Sequence, residues 1–217
     1  MKKIVVLISG RGSNFVAIQE SALREDWEHS IGAKIVAVIS NRPDAKGLEL
    51  AKNYGIDAFC VDHKTFDSRE AFEEKLYEVV SQYEPDLIVL AGFMRILTEG
   101  FVDRFEGKIL NIHPALLPSF KGLDTHQRAI DAGVRMAGTT VHFVTAALDG
   151  GAIIAQAAVP VLPSDDAHRL ADRVLVYEHQ IYARAVKACV TGKVRYENER
   201  AVMDDQTALE LTLFGQI

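Results

Sequence analysis

Lys3-Ile4-Val5-Val6-Leu7-Ile8-Ser9-Gly10-Arg11-Gly12-Ser13-Asn14 begins with an unbroken apolar run, stops at a serine and two glycines, and gives way to an amphipathic stretch. A continuous rather than alternating apolar run marks a strand covered on both faces, as in a parallel sheet packed between helices. The same alternation continues outward from it. Apolar runs place strands at Lys3 to Ser9, Ala33 to Ser40, Ile56 to Val61, Asp86 to Ala91 and Lys108 to Ile112. Helical periodicity fills Ser13 to Arg24, Lys46 to Tyr54 and Ser68 to Tyr83, the last closed by Glu84-Pro85. This predicts an α/β fold with a doubly wound, mostly parallel sheet. Further on, Thr139 to Val144 and Ile153 to Val161 are strand-like, with the turn Asp149-Gly150-Gly151 between them. A long helix follows Pro163-Ser164 and spans Asp165 to Ala188, and Lys193 to Ile217 reads as a short edge strand or an arm.

The chain has 217 residues, enough for one domain whose core needs neither disulfide nor metal. No repeat, low-complexity stretch or linker divides it. Its two cysteines, Cys60 and Cys189, lie far apart and outside any C-x-x-C pattern, which fits a reducing, cytoplasmic compartment. The N-terminal apolar run is too short for a signal peptide, and none approaches the roughly 20 residues of a membrane helix. A formal net charge of -6 argues against general attraction to nucleic acid or anionic lipid. Small molecules are the expected partners; the oligomeric state, a homodimer included, stays open.

Ser9 to Asn14 ends a strand and opens a helix, where free N–H groups and the helix dipole suit an anion such as phosphate. Phe15 stands where a dinucleotide fingerprint would have its third glycine, and no Gly-Lys-Ser/Thr follows, so neither a Rossmann cofactor nor a P-loop nucleotide is indicated. The same residues read equally well as a tight turn capped by Ser13 or Asn14. Asn111-Ile112-His113-Pro114 falls at the end of the fifth strand, with Asn111 and His113 on one side. An amide donor beside an imidazole suits acyl transfer, since both can stabilise a tetrahedral oxyanion and the histidine can move a proton. A locally satisfied histidine is the simpler alternative. Asp149 could serve such a histidine if the fold brings it close, or could merely cap its own Asp-Gly turn. Glu178 shares a helical stripe with Val174 and Ile181, where an acid needs a partner: the substrate amine, an internal hydrogen bond, or water at the helix edge. His126 and His179 lack metal-ligand spacing, so no metal is expected. The absence of a Gly-x-Ser-x-Gly elbow weakens covalent catalysis.

Five stretches together resemble the folate-dependent formyltransferase family. They are Ile8 to Asn14, Leu90 to Leu97, Leu110 to Pro114, Leu116-Leu117-Pro118, and Val141 to Val144 running on to Leu148-Asp149-Gly150-Gly151. They keep the family's order and cover about residues 3 to 190. The resemblance implies a Rossmann-type core in a single domain, with 1–190 as the catalytic domain and 191–217 as an extension packed on it. It implies transfer of a formyl group from 10-formyltetrahydrofolate to the amine of glycinamide ribonucleotide, with no metal. Asn111, His113 and Asp149 would form the catalytic group, and Gly12, Ser13 and Asn14 would bind phosphate, with Glu178 holding the amine. Met94, Arg95, Ile96, Leu97, Asn111, Thr145, Ala146, Ala147, Leu148 and Asp149 would line the folate pocket, and Arg69 would reach its outer part.

Departures from the family fall at the pocket. Ala146 and Ala147 stand where relatives carry acids, Leu175 replaces a polar residue, and Asp124 replaces a histidine before Thr125-His126. Two related activities, hydrolysis of 10-formyltetrahydrofolate and formylation of methionyl-tRNA, are expected to bring a leading regulatory domain or a C-terminal barrel, for which this sequence has no counterpart. A non-catalytic sensor of folate or ribonucleotide would not need an acid beside an amide donor.

Overall fold

The computed structural model describes residues 1–215. It divides into two compact units, Met1–Leu110 and Asn111–Ile217, with the division inside a strand. The first unit runs β1 (Lys2–Ile8), α1 (Ser13–Arg24), α2 (Trp27–Ser30), β2 (Ala33–Ser40), α3 (Lys46–Asn53), β3 (Asp57–Cys60), α4 (Arg69–Ser81), β4 (Leu87–Leu90) and α5 (Glu99–Asp103). β1 pairs in parallel with β2 on one side and β4 on the other, and β2 pairs in parallel with β3. Ile4 to Ile8 are wholly buried, as a strand covered on both faces requires. The chain therefore winds outward from β1 to β3 and returns to start again at β4, which makes the β1–β4 crevice a topological switch point.

α1 has the bounds that periodicity predicts. β3 and β4 are shorter than expected, yet the flanking residues still join the ladder: Val61 N–H donates to Ser40 O at 2.9 Å and Asp86 N–H to Lys3 O at 2.9 Å. α2 and α5 were not expected, because four or five residues are too few to show a helical period. α5 starts instead from a local signal, the Thr98 hydroxyl accepting from Phe101 N–H.

β5 (Ile109–His113) crosses the division, and the second unit continues with α6 (Thr125–Asp131), β6 (Met136–Phe143), β7 (Ile153–Pro160), α7 (Ala167–Val190), β8 (Arg195–Glu197), β9 (Arg200–Val202), α8 (Asp205–Glu210) and β10 (Thr212–Phe214). β6 and β7 pair antiparallel, with a register shift between Val141 and His142. β6 begins at Met136 rather than Thr139, because Met136 and Ala137 pair with Pro160 and Val159 although they lack β-branched character. α7 starts at Ala167, where the Asp166 carboxylate accepts from Arg169 N–H, and runs two residues past Ala188. It buries Leu170, Val174, Glu178, Ile181 and Ala185 along one stripe. The expected short edge strand is β10, paired in parallel with β7, while β8 and β9 form a separate ribbon. The last two residues of that expected segment, 216 and 217, lie outside the described residues. Strands that are mostly parallel and flanked by helices make this the doubly wound α/β class.

In the turn between β6 and β7, Gly151 has a steric duty. A Cβ there would stand 1.8 Å from Phe143 O, and the adjoining Phe143 N–H donates to Ala152 O at 2.9 Å. Gly151→Ala is expected to cost about 1–3 kcal/mol, a fall in Tm of roughly 2–10 °C by calorimetry. An unchanged Tm would mean that the β6–β7 connection yields without cost.

Candidate functional site

The turn after β1 is built by close backbone approach. Gly12 has φ 76°, and a Cβ on it would lie 3.0 Å from Gly47 Cα; Gly47 N–H also donates to Gly10 O at 3.1 Å. Gly12 is the N-cap of α1 and makes no side-chain cap hydrogen bond, and Ser13 and Asn14 are the first two residues of the helix. A helix N-terminus presents backbone donors that suit an anion.

Met94, Arg95, Ile96 and Leu97 follow β4 as an irregular segment with Met94 and Ile96 70% and 57% exposed and Leu97 buried. Large apolar side chains held out in this way beside the switch point offer a wall to an apolar ligand. The segment is pinned at both ends. Met94 N–H donates to Ser9 Oγ at 2.7 Å. At the far end, the buried Glu73 carboxylate accepts from Thr98 N–H at 2.9 Å and from the Thr98 hydroxyl. Arg95 lies with its guanidinium carbon 5.6 Å from the centre of the Phe72 ring. Arg69, exposed in the first turn of α4, is three and four positions from Phe72 and Glu73 and so shares their side of the helix.

The second unit brings Asn111, His113 and Asp149 together. His113 is 5% exposed. Its Nδ1 is 3.4 Å from Asp149 Oδ2, and its Nε2 is 2.9 Å from Phe120 O. A carbonyl only accepts, so Nε2 carries a proton. Asp149 has φ 45°, and its Oδ2 also accepts from Gly122 N–H at 2.9 Å. The turn thus points its carboxylate at the imidazole instead of capping itself. Phe120, Gly122 and Asp124 all have left-handed φ, so the segment over His113 is held in a conformation that costs energy at the two non-glycine positions.

A fourth residue, His142, belongs to this group. Its Nδ1 is 2.8 Å from Phe143 O, which makes Nδ1 the donor and leaves Nε2 as an acceptor 3.3 Å from Asn111 Nδ2. Burial pushes the His142 pKa below its ordinary 6.5, against the smaller opposing effects of the Phe143 carbonyl and Asp149, so the ring stays neutral. A neutral acceptor fixes which end of the Asn111 amide is the donor and leaves its second N–H for a substrate oxygen. The register shift at Val141/His142 accompanies the change in aim.

Thr145, Ala146, Ala147 and Leu148 lead into Asp149, with Ala146 and Ala147 exposed and Leu148 51% exposed. Leu175 is half-buried on α7, Glu178 is 8% exposed on its apolar stripe, and Asp124 is the N-cap of α6 without a side-chain cap. The Leu117–Pro118 peptide is cis. Burial pushes the Cys189 thiol up to about 12, far from nucleophilic character. Among the described residues no group of three His, Cys, Asp or Glu could hold a metal ion.

The formyl transferase family profile matches residues 2–186. The chain belongs to the formyl transferase family. Phosphoribosylglycinamide formyltransferase of Escherichia coli is 44% identical over 203 residues, 94% of each chain. The crystal structure of glycinamide ribonucleotide transformylase 1 from Symbiobacterium toebii is 44% identical, with a TM-score of 0.87 over 94% of this chain and 95% of that one. A formyltetrahydrofolate deformylase from Pseudomonas putida is more distant, 29% identical with a TM-score of 0.80 over 94% of this chain and 70% of its own.

In this formyl transferase sequence reasoning passed over His142, Phe120, Glu73 and the role of Ser9. His142 stands in one of the stretches that carry the resemblance, and its alternation with Thr140 along β6 was the only local signal available. His142→Ala removes the acceptor that orients Asn111 and is expected to lower kcat about tenfold. The ring's contribution to stability has a definite sign. Its folded pKa lies below the unfolded 6.5, so that stability is present above 6.5 and is lost as pH falls below it toward the folded value. An unaltered kcat in the variant would show that the Asn111 amide is oriented without His142.

Proposed function

We propose that this enzyme transfers the formyl group of 10-formyltetrahydrofolate to the primary amine of glycinamide ribonucleotide, giving formylglycinamide ribonucleotide and tetrahydrofolate in purine biosynthesis. The observation that carries the reading is the Asn111–His113–Asp149 group, with 3.4 Å between the His113 ring and the Asp149 carboxylate. It occurs in a chain 44% identical across 94% of its length to an enzyme named for the same transfer.

The chemistry follows from the donors. The amine attacks the formyl carbon, and negative charge develops on the formyl oxygen, where the free Asn111 N–H and the His113 N–H can both be aimed. For His113 to serve there, its Nε2–H must exchange the Phe120 carbonyl for the substrate oxygen. Asp149 orients the ring through Nδ1. As the C–N10 bond breaks, His113 as the acid gives its proton to N10, and the proton lost by the amine restores it. Gly12, Ser13 and Asn14 hold the ribonucleotide phosphate at the start of α1, and Glu178 holds the amine. Met94, Arg95, Ile96 and Leu97 bind the folate, the segment from Thr145 to Asp149 also contacts it, and Arg69 meets its outer part. Backbone contacts of Ala146 and Ala147 to folate do not depend on the acids that relatives carry there.

Residues 1–190 form the catalytic domain, with 191–217 as an extension on it; the pairing of β10 with β7 supports this reading. The enzyme works in the cytoplasm on small molecules. No helix among the described residues is long and apolar enough to cross a membrane.

Absorbance recorded as protein, 10-formyltetrahydrofolate and glycinamide ribonucleotide are mixed tests the reading. Turnover is expected to require the ribonucleotide and to fall by at least about a hundredfold in His113→Ala. Release of tetrahydrofolate without the amine would assign the chain to hydrolysis instead, and folate binding without turnover would make it a sensor.

A further inference from the structure

Ser9 is 4% exposed and stands where β1 ends, at the switch point between β1 and β4. Its own N–H donates to Gly92 O at 3.1 Å. Its hydroxyl has two partners whose roles are fixed by chemistry. Met94 N–H can only donate and does so at 2.7 Å; the hydroxyl therefore spends its single proton on Asn41 Oδ1, 2.5 Å away. Asn41 is buried, and its backbone carbonyl accepts from His63 Nδ1 at 2.8 Å. The hydroxyl orientation is thus determined by a chain from the residue after β2 across the end of β1 to the segment after β4. One residue later the backbone enters the Gly10–Asn14 turn.

We propose that Ser9 is a positioning residue that couples the two ligand segments of the first unit. Its main chain sets the start of the Gly12–Asn14 turn, and its hydroxyl sets Met94, the head of the folate segment. A ligand that orders either segment thereby favours the other, and the coupling must be reciprocal. This rests on the proposed roles of Gly12–Asn14 and Met94–Leu97.

Steady-state kinetics on the full chain test it. Ser9→Ala leaves Met94 N–H and Asn41 Oδ1 without their partner and is expected to raise KM for glycinamide ribonucleotide and for 10-formyltetrahydrofolate about five- to tenfold each, with kcat changed by less than about twofold. Ser9→Thr keeps the hydroxyl and should restore both. Asn41→Ala keeps the Met94 bond but frees the hydroxyl, so it should move both constants in the same direction by less; it serves if Ser9→Ala does not fold. In the wild type, tetrahydrofolate should bind several-fold more tightly when glycinamide ribonucleotide is present, and in Ser9→Ala equally with or without it. A purely structural Ser9 would lower Tm and leave both KM values alone. Movement of one KM alone, or an unchanged ribonucleotide effect on tetrahydrofolate affinity, would overturn the coupling. Ser13→Asp and Ile96→Glu are the controls, each expected to raise one KM, for ribonucleotide and folate respectively. If a control leaves its KM unmoved, the assignment of that segment fails and the coupling fails with it; if both behave and Ser9→Ala does not, only the coupling fails.

Discussion

Complete burial of five consecutive β1 side chains, Ile4 to Ile8, constrains everything around them. A strand hidden on both faces must have neighbours on both edges and helices above and below, because its backbone groups and its side chains both need partners away from water. Parallel neighbours then require crossovers, which deliver the ends of β1 and β4 to the same edge of the sheet. The polar residues are found where this apolar run stops. Ser9 is the first of them, and its hydroxyl joins the turn after β1 to the segment after β4.

The Asn111, His113, Asp149 and His142 group of the second unit is organised by hydrogen-bond directionality more than by charge. Carbonyl oxygens of Phe120 and Phe143 each fix one nitrogen of a histidine, so His113 and His142 present opposite characters: one offers protons, the other a lone pair. The difference is reinforced by surroundings. Burial acts most strongly on His142, whereas His113 has a carboxylate 3.4 Å from Nδ1. Asn111 then acquires a defined donor direction from its neutral neighbour, and the Asp149 carboxylate is held by accepting from the Gly122 N–H.

Glycine contributes at this group through space. Asp149 itself adopts the left-handed conformation, with φ 45°, while Gly151 two residues on leaves room for Phe143 O. Sequence alone presents Asp149-Gly150-Gly151 as a turn. In the folded chain it is a tightly fitted connection between two antiparallel strands, and that fit holds a carboxylate against an imidazole.

The amino-acid sequence by itself determined the parts of this protein that depend on periodicity and short-range chemistry. Continuous apolar runs identified β1 and β2, the 3.6-residue period placed α1 and α7, and the period of two put Asn111 and His113 on one side of β5. The turn from Ser9 to Asn14, between a strand and a helix, was legible because its residues are adjacent in the chain. Short helices were not legible, and neither were contacts between residues distant in sequence: Asp149 with His113, His142 with Asn111, Ser9 with Met94, Glu73 with Thr98. Those were decided only by tertiary structure, for a physical reason. A hydrogen bond depends on atoms within about 3 Å of each other, and which distant groups come that close is set by strand register, a bulge and turn geometry that no local pattern specifies.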